Sequence, residues 1–171
     1  VKLPPLDWWR TVFFLIPTIA LYTVFCGTAS LASTFVDRTG HRAHRWAQRW
    51  ARFIIGTTGV TVELTGAGLP PGDESCIFVA NHSSFYDIPI LFTAVPRQLR
   101  IMAKAALAYV PFIGWHLLRA GHVLVNRANP GAGILKRMQR MTGQNASLIF
   151  FPEGSRTRDG QVRAFKGGVF L

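Results

Sequence analysis

Cys76-Ile-Phe-Val-Ala80, Asn81-His-Ser-Ser-Phe-Tyr-Asp87 and Ile88-Pro-Ile-Leu-Phe-Thr-Ala94 form the continuous stretch that decides the fold. Its first part is a short unbroken apolar run, as in a strand buried on both faces. Its middle is polar and rich in Asn and Ser, the composition of a turn or a helix cap. Its last part is apolar again at helical length, which predicts a helix over Phe85–Ala94. The same alternation continues downstream. Leu99–Ala103, His122–Asn126 and Ser147–Phe151 read as further buried strands, and Val60–Thr65 alternates like a strand exposed on one face. Between them lie a Pro- and Gly-punctuated segment from Lys104 to Gly121 and a helix over Ala132–Met141. In that helix Ile134, Met138 and Met141 fall at i, i+4 and i+7, the spacing of a packed face. Gly66–Asp73 is a loop by its Gly and Pro content. The pattern predicts an α/β fold with a mixed, largely parallel sheet flanked by helices.

Upstream the chain is of a different kind. Thr11–Val36 contains 26 consecutive residues without a charge, and a helix needs about 20 apolar residues to cross the hydrocarbon. Pro17, Gly27 and several hydroxyl residues weaken it as a span, and crossing and re-entrant arrangements both stay open. A cleaved signal peptide fits poorly, because the apolar stretch exceeds the usual core of roughly 7–15 residues. Trp8 and Trp9 suit an interfacial belt. Arg42, Arg45, Arg49 and Arg52 then share one side of a helix, with Trp46, Trp50, Phe53 and Ile54 on an adjacent arc. This predicts an amphipathic helix on anionic lipid, facing the cytoplasm by its arginine excess. An ordinary surface helix with a solvated arginine face is the alternative. Residues 1–56 are accordingly an N-terminal membrane-associated helical segment and 57–171 the globular domain. The apolar ending at Phe165–Leu171, with no stop signal, suggests that this domain is truncated at its C-terminal end.

The formal charge is +11 and it is unevenly placed. From Ile88 to Pro152 there is no Asp or Glu, while eight Lys and Arg residues fall there. Such a field recruits an anionic partner: nucleic acid, anionic lipid or a phosphorylated substrate. Charge alone does not choose among them; nucleic acid explains the charge but not the membrane-length run, so a lipid membrane and no nucleic acid are expected. Cys26, in the apolar run, and Cys76 form no disulfide framework, which fits a reducing compartment, and Cys76 reads as a buried structural thiol rather than a reactive one.

His82 and Asp87 carry the first chemistry. Five residues on a regular helix turn a side chain through about 140°, so the two cannot share a helix face. They can meet if His82 stays in the loop, Ser83 or Ser84 caps the helix, and Asp87 lies in its first turn. Asp87 then fixes one imidazole proton and leaves the other nitrogen as a base. A capped helix with an incidental histidine is the bland alternative. If the strands run parallel, Glu153, Gly154 and Arg156 emerge at the same sheet edge as His82, as do Lys104 and Arg127. Cations from separate strand ends can converge on a phosphate. His82, Asp87, His116 and His122 show no zinc-type spacing, so no metal is expected.

These residues also carry a resemblance. Asn81-His-x-x-x-x-Asp87 resembles the first motif of the glycerolipid acyltransferases, specifically the 1-acylglycerol-3-phosphate acyltransferases. Lys104, Pro111 and Gly114 with Gly121-His-Val-Leu-Val-Asn-Arg127 resemble the second. Phe151-Pro-Glu-Gly-Ser-Arg-Thr157 resembles the third, and Phe165-Lys-Gly-Gly168 the stretch that follows. The family's fourth motif is missing from the sequence. The resemblance implies transfer of a fatty acyl chain from acyl-CoA or acyl carrier protein to 1-acylglycerol 3-phosphate, giving phosphatidic acid. His82 would be the general base and Asp87 its support. Lys104, Arg127 and Arg156 would hold the phosphate, and Glu153 would position the acceptor or its binding loop. No cofactor beyond the thioester co-substrate and no acyl-enzyme are implied. The alternatives are a family member with another acceptor, glycerol 3-phosphate or another lysolipid, and a non-catalytic basic membrane-binding module.

Overall fold

The computed structural model describes residues 5–69, 74–126, 145–157 and 159–165. The expected helix over Ala132–Met141 and Arg127 lie outside them.

The first helix, α1, runs Leu6–Val36 and is long and apolar enough to cross a membrane. Its turns widen to π-type at Thr11–Leu15, just before Pro17. A proline inside a helix lacks the amide that would bond back one turn, and a wide turn accommodates its ring. Phe13, Phe14, Ile16, Leu21 and Phe25 project from α1 into the surroundings. Asp37 then organises the corner. One carboxylate oxygen accepts the Thr39 amide at 2.9 Å, and the other accepts the Arg42 amide at 2.7 Å. Hydrogen bonds from Thr39 and Arg42 lower the Asp37 carboxyl to about 2.

α2, His41–Thr58, folds back along α1. Trp46 meets Phe25 edge-on, the Trp50 indole donates to the Thr23 hydroxyl at 3.0 Å, and Thr57 reaches Tyr22. Later residues of α2 thus meet earlier residues of α1, which makes the pair an antiparallel hairpin. The four arginines stay exposed, while Ala43, Ala51 and Ile54 are buried. Trp46 and Trp50 are largely enclosed and only Phe53 of the expected apolar arc remains outside.

The sheet contains β1 (Ile77–Val79), β2 (Leu99–Lys104), β3 (Val123–Val125) and β4 (Ser147–Phe150). Its order is β1-β4-β2-β3 and every described pairing is parallel. All four carboxyl ends therefore lie along one edge, where open α/β sheets place their ligands. α3 (Asp87–Ala94) and α2 cover one face, joining Ala51, Phe92, Val95, Leu99 and Ile149 in the main core. Val123, Val125 and Leu148 face the other way. After β2 the chain makes a tight 3-10 turn at Ala105–Tyr109 and enters α4, Ile113–Arg119.

Three local expectations are corrected. Val60–Thr65 forms no strand among the described residues, so its alternation never becomes a ladder. β1 stands at one edge of the described sheet, and Ile77 and Val79 remain half exposed while Phe78 joins the core. Cys76 is only partly buried, and its sulfur accepts a bond from Arg97 at 2.8 Å.

Arg100 fastens the hairpin to the sheet. It is buried on β2 and donates to the Thr39 carbonyl at 3.1 Å, across the corner from Gly40. Burial lowers its pKa to about 10. Gly40 has φ +79°, and a Cβ there would stand 2.5 Å from the Arg100 guanidinium.

Candidate active site

Val79 of β1 stands beside Phe150 of β4, so the loops that follow emerge together. His82 is in the first and Glu153 in the second. Glu153 is 3% exposed. One of its carboxylate oxygens accepts the His82 amide at 2.7 Å and the other accepts the Arg163 amide at 3.0 Å. These bonds lower the Glu153 carboxyl below its ordinary value. The Thr157 amide donates to the His82 carbonyl at 2.9 Å. His82 is thus gripped on both sides of its backbone. Its ring lies on Phe151, centroids 4.2 Å apart and planes 19° from parallel.

The His82 Nδ1 is 2.7 Å from Asp87 Oδ2. The same oxygen accepts the amides of Ser83 at 2.9 Å and Ser84 at 3.0 Å. Neither serine caps α3 as the sequence suggested. Asp87, the first residue of the helix, curls back over the loop instead, and Ser84 Oγ accepts the Tyr86 amide at 3.1 Å. An ionised carboxylate can only accept, so Nδ1 carries the proton and Nε2 keeps its lone pair. That Nε2 makes no hydrogen bond among the described residues.

His82 opens on an apolar cavity of about 420 Å³. With Ser84, Arg156 and the exposed Phe85 it forms the rim, and Arg156 stacks on the Phe85 ring at 3.2 Å. The walls come from α1, α2, α3, the 3-10 turn and α4, including Cys26, Trp46, Trp50, Phe92, Leu107 and Ile113. Phe112, at φ +61°, presses its Cβ to within 2.8 Å of where a Gly27 Cβ would be.

The buried end is polar. His122 Nδ1 accepts the Ile101 amide at 2.9 Å, His122 Nε2 lies 3.3 Å from His116 Nε2, and His116 Nδ1 lies 2.6 Å from Ser30 Oγ. Both imidazoles are neutral: burial, then Arg100, lowers His116 to about 4. Burial, with His116 and Arg100 nearby, holds His122 well below its ordinary value. His82 is the histidine at the rim, and these two are packed structure.

The other expected residues divide. Arg156 shares the cavity with His82. Lys104 sits exposed at the end of β2 on the same sheet edge but does not line the cavity. Gly154 adopts φ +73° and its amide closes a turn onto the Phe151 carbonyl at 3.1 Å. Arg127 follows the end of β3 by two residues, outside the described part. Sequence reasoning missed Phe151 as the plate under the imidazole, although it is the first residue of the third motif. It also missed the cavity, whose walls come from segments far apart in the chain.

A family model described as Acyltransferase matches residues 61–171. The chain belongs to the acyltransferase family. The acyltransferase chain is 34% identical over 137 residues to a chloroplastic 1-acyl-sn-glycerol-3-phosphate acyltransferase of Brassica napus, covering 78% of this chain and 40% of that protein. It is 36% identical to another of Arabidopsis thaliana, covering 85% of this chain and 46% of the relative. The acyltransferase chain thus spans less than half the length of either relative. The crystal structure of the 1-acyl-sn-glycerophosphate acyltransferase PlsC from Thermotoga maritima superposes with a TM-score of 0.65 at 26% identity. The match covers 92% of this chain and 67% of that one.

Proposed function

We propose that this chain is the catalytic part of a membrane-associated 1-acylglycerol-3-phosphate O-acyltransferase. The observation that carries the reading is the His82 Nε2, without a hydrogen bond among the described residues, at an apolar cavity and backed by Asp87 at 2.7 Å. The cavity suits a fatty acyl chain, and the names of the relatives favour a lysophosphatidic acid acceptor.

In this reading His82 Nε2 takes the proton of the acceptor hydroxyl as that oxygen bonds to the thioester carbonyl carbon. The tetrahedral intermediate collapses with cleavage of the C–S bond. The thiolate leaves with the proton from the imidazolium, giving free thiol and phosphatidic acid. Asp87 stabilises the imidazolium while it exists. Glu153 acts on the loop, because both its oxygens are committed to backbone amides. Arg156, with Lys104 from the same sheet edge and with Arg127, two residues beyond β3 in the sequence, holds the acceptor phosphate. The reaction as written calls for no cofactor beyond acyl-CoA or acyl carrier protein. α1 keeps the site at the bilayer and the arginines of α2 keep it on the cytoplasmic side.

The test is turnover of labelled 1-acylglycerol 3-phosphate with an acyl-CoA and with an acyl carrier protein, by wild type and His82→Ala. Diacyl product from wild type alone is the expected result. Product from His82→Ala at the wild-type rate would remove His82 from the mechanism.

A further inference from the structure

A second cleft lies on the helical hairpin, separated from the acyl cavity by Trp46, which lines both. We propose that it binds the phosphate of an anionic membrane glycerophospholipid, as a site separate from the one at His82. Its volume is about 290 Å³, and its walls are Ser33 of α1 and Arg42, Arg45, Trp46 and Arg49 of α2. The three arginines stand at i, i+3 and i+7, one face of the helix, over a rise of about 10 Å.

Among the described residues no carboxylate forms an ion pair with them. The ion pair found among the described residues is His82 with Asp87. Asp37, the acid nearest in sequence, is committed to the amides and hydroxyl of the corner. Ser33 Oγ donates to the Ser30 carbonyl at 2.6 Å, so the guanidiniums are the cleft's donors. Guanidinium forks match phosphate oxygens in pairs. The Arg49 fork is held in place over the Trp46 ring at 4.5 Å.

Position selects lipid over a dissolved anion. Ser33 is one helical turn from Val36, where the apolar helix ends. With α1 in hydrocarbon the cleft therefore stands at the headgroup layer. Phe25 packs on Trp46 beside the cleft and is itself 57% exposed, an apolar surface for acyl chains below the phosphate. A soluble phosphate would use the arginines and leave that surface bare. This inference needs membrane association but not acyl transfer.

The experiment holds the purified full chain in non-ionic micelles doped with phosphatidylglycerol or with phosphatidylcholine of the same acyl chains. Native mass spectrometry counts lipid retained per protein. Wild type should retain phosphatidylglycerol selectively. Arg45→Gln with Arg49→Gln should weaken retention about tenfold, as loss of two charge-assisted contacts implies. The charge-matched pair Arg10→Gln with Arg38→Gln, exposed but outside both α2 and the cleft, should retain it as wild type does. If the double variant loses its melting transition, Arg45→Gln alone gives the comparison. Equal losses in the cleft and control pairs would overturn the site in favour of diffuse charge. Equal retention of phosphatidylcholine would overturn selection of an anion. Displacement by millimolar inorganic phosphate would reassign the site to free phosphate. Turnover is read in parallel, so inactive protein that still retains lipid counts against the acyltransferase reading and not against the cleft.

Discussion

Asp87→Asn replaces one oxygen by an amide and leaves the side chain nearly the same size, so it tests charge more than shape. In the native loop Asp87 Oδ2 receives three hydrogen bonds, from His82 Nδ1 and from the amides of Ser83 and Ser84. The pair is largely enclosed, with the two side chains 19% and 17% exposed. When Nε2 accepts a proton, the imidazolium and the carboxylate are about 4 Å apart between charge centres. At an effective dielectric constant of about 20 they attract by about 4 kcal/mol. Losing that attraction in the transition state slows turnover by about three orders of magnitude. Asparagine can also donate to Nδ1 and trap the tautomer whose Nε2 carries a proton, as happens in Ser-His-Asp triads. The assay is steady-state turnover with acceptor and donor varied separately. kcat should fall about a thousandfold with both KM values nearly unchanged, because Asp87 touches neither substrate in the proposed mechanism. A variant with an unaltered melting temperature and kcat within about tenfold of wild type would refute electrostatic support of the base. A large rise in either KM would place Asp87 in binding instead.

Gly114→Ala should destabilise the fold by about 3 kcal/mol, because its Cβ would lie 2.2 Å from the Ala108 carbonyl oxygen and 2.5 Å from that of Leu107, both backbone atoms; an unchanged denaturation midpoint would contradict this. Acid should weaken the fold well before the carboxylates titrate. Burial holds His44 and His116 at about 4, against an ordinary 6.5, so the unfolded chain binds protons first as pH falls. Their contribution is complete above pH 6.5 and is lost between 6.5 and about 4, at most about 3 kcal/mol for each. Thermal melts across that window should show the decline, and a flat melting temperature would mean the two imidazoles are not held neutral.

Much of the sheet was legible because buried strands of parallel sheets read as short apolar runs. Leu99–Ala103, His122–Asn126 and Ser147–Phe151 each contain an observed strand within a residue or two. His82 and Asp87 were legible as a spacing that required a loop, and the loop is there. Strand order was not, since no local pattern says that β4 enters between β1 and β2. Val60–Thr65 misled because alternation reports one exposed face and is silent on a pairing partner. The helix start misled for a related reason: serines are good caps, but here Asp87 at the first helical position accepts the amides of Ser83 and Ser84 upstream of it, while Ser84 Oγ accepts that of Tyr86. The cavity was least visible. Gly27, Trp46, Phe92 and Leu117 meet only in three dimensions, and each alone reads as ordinary core.

The insertion of β4 between β1 and β2 has a consequence for how this molecule comes into being. Among the described strands β1 pairs with β4 alone, across about seventy residues of intervening chain. Contacts so distant in sequence form late, because a long loop must first be closed. On a growing chain α1 and α2 are available to meet lipid while the sheet still has a gap at its centre. Phe151 and Glu153, which fix the imidazole plane and the His82 backbone, arrive with the strand that fills the gap. In the proposed mechanism the base is therefore completed only after the helical hairpin has been made.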